Sequence, residues 1–175
     1  MSTMTVTAPG MLTTVQDWPG RTGYWQVGVP PSGPMDDLSF RLGNKAVGNP
    51  EGAAGLEATL AGPTLRFAED TLVCVTGAPA PVTLNGTPVP QWRAITVPAG
   101  GTLSVGAAAD TGMRIYVLIA GGIEVLHERL VASGVDSTLQ IWPDQFHVFQ
   151  AFHPLIPEAV RAVRNLGKFM RTSTD

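Results

Sequence analysis

Glycine and proline are spread unevenly along the chain, and no other feature restricts its fold as strongly. Residues 1–122 hold 18 of the 20 glycines and 12 of the 15 prolines; residues 123–175 hold the rest, together with all three histidines, His127, His147 and His153. A backbone punctuated this often cannot sustain long helices, because proline removes an amide donor and glycine raises the entropy cost of ordering. Residues 1–122 therefore read as a mainly β domain of short strands and many turns, and residues 123–175 as a short α/β tail.

Local signals sharpen this reading. Asn85-Gly86 stands between the short alternating runs Val82-Thr-Leu and Thr87-Pro-Val. Both central residues of a type I′ turn need positive φ, so the pair predicts a hairpin. Ala94 to Val97, then Pro98-Ala-Gly-Gly101, then Thr102 to Val105 predict a second hairpin with a longer turn. Leu72–Thr76 and Ile115–Ala120 are nearly continuous apolar runs, as in strands buried on both faces. Short strands at this spacing suit a barrel or a sandwich.

One helix interrupts the β domain. Ser32 is the expected N-cap, with Pro34 in the first turn, and Gly48 is the expected stop. Leu38, Leu42 and Ala46 recur at helical spacing. Asp36 and Asp37 sit at the positive end of the dipole and Lys45 at the negative end. In the tail, Glu124–Ser133 reads as a short helix, Val135–Trp142 as a strand and Pro157–Arg171 as an amphipathic helix.

Several function classes are excluded. The net charge of -3 offers no basic stripe for nucleic acid and no polybasic run for a membrane surface. No apolar run is long enough to span a bilayer and no secretory signal stands at the start, so the expected location is the cytoplasm. The single cysteine, Cys74, lies inside an apolar run and reads as a buried, inert thiol. Phosphate loops, dinucleotide fingerprints and nucleophile elbows are missing. His147 and His153 do not have zinc-site spacing, and no metal is expected.

What remains is a polar stretch pinned by glycine and proline, Leu12 to Tyr24 and then Gly28 to Asp36. Gln16, Asp17, Arg21, Tyr24, Ser32 and Asp36 are the side chains that would line a pocket there, with Gly33 and Met35 beside them. An ordinary folded β connection would carry the same pattern, so both readings stay open at this point.

The same stretch carries a resemblance. Leu12-Thr-Thr-Val-Gln-Asp17, Pro19-Gly-Arg21, Gly28-Val-Pro-Pro-Ser-Gly-Pro-Met-Asp36 and Arg41-Leu-Gly-Asn-Lys-Ala-Val-Gly-Asn-Pro-Glu51 resemble the N-terminal half of the allophanate hydrolase subunit 2 type domain. Leu56-Glu57, Gly62-Pro-Thr-Leu65, Thr76-Gly-Ala78 and Ala120-Gly-Gly122 continue it in order. This is the biotin-dependent carboxyltransferase domain family of urea carboxylase and of the C-type subunits of 5-oxoprolinase. The resemblance implies a cyclophilin-like β-barrel, partial here, with one inserted helix. It implies transfer of a carboxyl group from carboxybiotin, supplied by another domain or subunit, to urea or a similar small amide.

Such chemistry needs fixed donors for the carboxylate and ureido oxygens and an acceptor for the amide proton. Arg21 and the main-chain amides near Gly33 are the expected donors, and Asp36 or Asp17 the expected acceptor. Gln16, Tyr24, Ser32, Gly33 and Met35 are the expected substrate-binding residues.

The family's barrel continues past Gly122, and this chain departs from it there. Gly122-Ile-Glu-Val-Leu126, Gly134-Val-Asp136, Trp142 to Phe152 and Pro154 to Ala159 resemble the C-terminal end of an α/β-hydrolase of the hormone-sensitive-lipase type. His147 falls at that family's catalytic histidine, but Ile123 stands where the triad acid is expected, and no nucleophile elbow is present. The leading expectation is a truncated carboxyltransferase domain that needs a partner subunit or self-association to complete its barrel. An esterase-like remnant carrying His147 and a non-catalytic binding or regulatory subunit are the alternatives.

Overall fold

The computed structural model describes residues 4–20, 22, 23, 25 and 32–122. The tail elements expected beyond Gly122, and His147 with them, lie outside the described residues. Residues 4–20 and 33–122 belong to one compact unit; Thr22, Gly23, Trp25 and Ser32 belong to another.

The first unit is mainly β. Its strands are β1 (Met4–Ala8), β2 (Thr14–Gln16), β3 (Gly55–Thr59), β4 (Thr64–Phe67), β5 (Thr71–Gly77), β6 (Val82–Leu84), β7 (Thr87–Pro88), β8 (Ile95–Val97), β9 (Thr102–Val105) and β10 (Arg114–Ile119), with α1 (Asp37–Ala46) between β2 and β3. They form two antiparallel five-stranded sheets, ordered β1-β4-β9-β6-β7 and β2-β3-β10-β5-β8. Leu65, Phe67, Leu103 and Val105 from the first sheet pack against Leu56, Val73, Val75, Val97, Ile115 and Val117 from the second.

The outer face of the second sheet carries α1. Phe40 and Val47 pack there on Cys74, Tyr116 and Leu118. Strands β5 and β10 are therefore covered on both faces, which explains their unbroken apolar runs. Each fully buried large apolar side chain contributes roughly 1.5–3 kcal/mol. The helix approaches closely because Gly43 and Gly55 leave room: a Cβ at either would fall 2.5 or 2.4 Å from a Leu118 methyl carbon.

The Asn85-Gly86 turn has φ of 51° and 81°, the positive pair that the type I′ hairpin requires, and it joins β6 to β7. Two other expectations are corrected. The second hairpin does not form: β8 pairs with β5, whereas β9 pairs with β4 and β6. Val97 and Leu103 both turn into the core between the sheets, so the chain crosses from one sheet to the other. Gly101 allows the corner, since a Cβ there would lie 2.7 Å from the Pro98 carbonyl oxygen.

The helix is capped by Asp36, not Ser32. Gly33 has φ of +125°, a conformation that no helical turn can contain, so Pro34 precedes the cap. The helix forms as the Leu38, Leu42, Ala46 spacing predicts; that repeat is exposed, and Ser39, Phe40, Gly43 and Asn44 form the buried face. The expected stop is observed: Gly48, with φ of +80°, follows the C-cap Val47.

Burial pushes the Cys74 thiol from its ordinary 9.0 up to about 11 and raises the Tyr116 phenol well above its usual range. A raised folded-state pKa confers stability that is complete below the unfolded value and is lost as pH climbs through the folded one. For Cys74 that window runs from 9.0 to about 11. The guanidinium unfolding midpoint is expected to fall across it, and the thiol to resist aromatic disulfide reagents at neutral pH until denaturant is added. Rapid, complete labelling of the native protein would contradict this.

Candidate functional site

Beside α1, the outer face of the second sheet is polar. Thr14 stands opposite Glu57, and Glu57 opposite Tyr116, in successive antiparallel pairs. Residues opposite one another share a face, so these side chains line up across three strands. Glu57 is buried at 6% exposure. One of its carboxylate oxygens accepts the Met35 N–H at 2.8 Å; the other lies 3.7 Å from Arg114 Nη1. Arg114 also donates from Nη1 to Thr59 Oγ1. The Tyr116 hydroxyl accepts the Asp36 N–H at 2.7 Å.

The turn Gly33–Asp36 is thus tied to the sheet by two consecutive amides. Its start is held from another side. A Cβ on Gly33 would sit 3.3 Å from the carbonyl oxygens of both Asp17 and Pro19, so the two turns meet main chain to main chain. Trp18 is fixed in turn: its amide reaches the Gly52 carbonyl at 3.4 Å, and the Arg41 guanidinium stacks 4.2 Å from its ring centre.

The run from Arg41 to Glu51 builds this support. Arg41 Nη2 and Lys45 Nζ approach the Glu51 carboxylate at 2.6 and 2.7 Å. Their hydrogen bonds, that of Lys45 first, hold the Glu51 carboxyl below its ordinary pKa. Asn49 donates to Asn44 Oδ1 and to the Ile119 carbonyl and accepts the Gly121 amide. Asn44 donates to the carbonyls of Glu51 and Ala53. These motif residues hold backbone in place, joining α1, the following loop and the end of β10.

The sequence-derived site residues are distributed as follows. Gln16 is buried and donates to Thr14 Oγ1 at 3.0 Å. Asp17 and Gly33 meet as described. Ser32 is half-buried, and Met35 is 70% exposed. The Asp36 carboxylate caps α1, accepting from the Ser39 amide at 3.0 Å and from the Ser39 hydroxyl. Arg21 and Tyr24 lie outside the described residues.

The N–H groups of Met35 and Asp36, two of the amides near Gly33, are bonded to Glu57 and Tyr116. Glu57 enters the family resemblance only within a motif, and neither Arg114 nor Tyr116 carries any part of it. Alternation was the available signal: Glu57 and Thr59, like Arg114 and Tyr116, occupy every second place in strands whose intervening residues are apolar. Among the described residues no group of His, Cys, Asp and Glu is arranged to hold a metal, and no helix is long and apolar enough to cross a membrane.

The described unit is thus mainly β, with a polar turn clamped on its outer sheet. The family model described as carboxyltransferase domain, subdomain A and B, matches residues 27–135. The chain belongs to that carboxyltransferase domain family. It is 48% identical over 120 residues to urea amidolyase of Saccharomyces cerevisiae, covering 69% of this chain and 6% of that protein. It is 38% identical over 128 residues to the C-type subunit of 5-oxoprolinase from Haemophilus influenzae, covering 73% of this chain and 40% of that one.

The crystal structure of Kluyveromyces lactis urea carboxylase matches with a TM-score of 0.65 at 50% identity, covering 68% of this chain and 10% of that one. The chain therefore spans well under half the length of these relatives. A separate likeness, 39% over 62 residues, is to the carboxylesterase/phospholipase LipF of Mycobacterium tuberculosis, covering 32% of this chain and 17% of that protein.

Proposed function

We propose that this chain supplies part of a biotin-dependent carboxyltransferase site that delivers a carboxyl group to urea or a similar small amide. A partner subunit, or a second copy of the chain, completes the domain. The observation that carries this reading is the meeting of Gly33 with Asp17 and Pro19, which joins the two motif stretches into one fixed wall. Bound carboxybiotin would supply the transferable carboxyl group.

In this reading Gln16, Gly33 and Met35 hold the ligands; for Arg21 as a donor and for Tyr24 and Ser32 as binding residues the support is the sequence resemblance alone. Asp17 or Asp36 accepts the amide proton; the Asp36 oxygens also serve the helix cap. Urea as the acceptor rests on the names of the relatives. The hydrolase alternative rests on His147 and the shorter likeness to LipF.

The test is a titration of the isotope-labelled chain with free biotin and with dilute urea, followed by amide NMR. Resonances of residues 14–17 and 33–36 are expected to shift. Silence at those positions, together with turnover of a para-nitrophenyl ester that vanishes in His147→Ala, would put the hydrolase reading first.

A further inference from the structure

We propose that Glu57 and Tyr116 are positioning residues that set the ligand-facing geometry of the Gly33–Asp36 turn through its two consecutive amides. The inference rests on the functional reading above, since it assigns a role at that same wall.

The geometry carries it in three steps. Glu57 and Tyr116 are direct partners in the β3–β10 register, so their side chains leave adjacent strands on the same face. Each takes one amide of the turn, Met35 N–H at 2.8 Å and Asp36 N–H at 2.7 Å. The two acceptors face each other in the register, so together they hold neighbouring amides of one turn. Arg114, 3.7 Å from Glu57, offsets the charge that burial would otherwise penalise.

A carboxylate is more than this turn needs for folding alone. The Asp36 cap already starts α1, and Phe40 already anchors it. What the pair adds is orientation: it draws the Met35 and Asp36 amides toward the sheet, while the Met35 side chain stays exposed. A group held within a fraction of an ångström by such supports is what transfer chemistry requires.

The full chain is compared with Glu57→Gln, Glu57→Ala and Tyr116→Phe by amide hydrogen exchange and by affinity for free biotin and urea. Glu57→Gln keeps an acceptor for the Met35 amide and is expected to stay within about twofold of the parent in both readouts, whereas Glu57→Ala and Tyr116→Phe are expected to speed exchange at Met35 and Asp36 respectively by about tenfold or more. Both of the latter variants are expected to weaken ligand binding by about fivefold or more while the folded fraction stays high.

A merely structural role would lower the melting temperature and leave the affinity of the folded protein unchanged, which would overturn the proposal. So would unchanged exchange at both amides. If the parent chain binds neither ligand, the functional reading fails and this role fails with it; the exchange data still show whether the clamp itself exists, which separates the two failures.

Discussion

Replacing Gly77 by alanine is expected to destabilise the protein by about 3 kcal/mol or more. Gly77 ends β5 with φ of +90°, which L side chains adopt only under strain. An added Cβ would fall 2.3 Å from the Arg114 carbonyl oxygen and 3.1 Å from Tyr116 Cδ2. The first of these is backbone and has little freedom to yield. That same carbonyl accepts the Ala78 amide at 2.7 Å, so moving it breaks a second hydrogen bond. The clash also displaces Arg114 and Tyr116, which support the Gly33–Asp36 turn. Guanidinium unfolding of the parent and the variant measures the loss; a difference below about 1 kcal/mol would show that the strand end relaxes freely.

Phe40→Ala is expected to cost about 3–5 kcal/mol, the range for removing a fully buried aromatic ring. Phe40 is 0% exposed, and its ring meets that of Tyr116 edge to face with centroids 5.8 Å apart. Its removal leaves a cavity under α1 and frees the Tyr116 ring, so NMR shifts of the Met35 and Asp36 amides are expected along with the lower stability. Leu38→Ala makes the contrast: Leu38 is 61% exposed, and its loss should stay within about 0.5 kcal/mol. Equal costs for the two substitutions would mean that the helix docks through a different face.

This contrast marks the limit of periodicity as a guide. The repeat Leu38, Leu42, Ala46 identifies the helix correctly, yet it is exposed. The buried face is chosen by Gly43 and Phe40, because a glycine lets the helix sit close on Leu118 and a ring fills the space beside it. Local spacing records that a stretch is helical; it does not record which neighbour the stretch will meet. The corner at residues 98–101 is similar. A hairpin and a crossing between two sheets place the same turn residues between the same apolar strands, and they differ only in the partners of β8 and β9.

The candidate site divides in the same way. Gln16, Asp17, Gly33, Met35 and Asp36 were legible because glycine and proline pin them in one stretch. Glu57 and Tyr116 were not, because they act on that stretch from 22 and 80 residues away.

By itself the sequence determined the turn-rich β character, the Asn-Gly hairpin, the two strands covered on both faces, the helix stop at Gly48 and the family. Each depends on the conformational limits or periodicity of neighbouring residues, which act wherever the chain goes. Only the tertiary structure decided the cap at Asp36, the buried face of α1, the crossing between sheets and the clamp on the Met35 and Asp36 amides. Those depend on which distant groups satisfy a buried donor or fill a given volume, and that is settled only when the strands take their register.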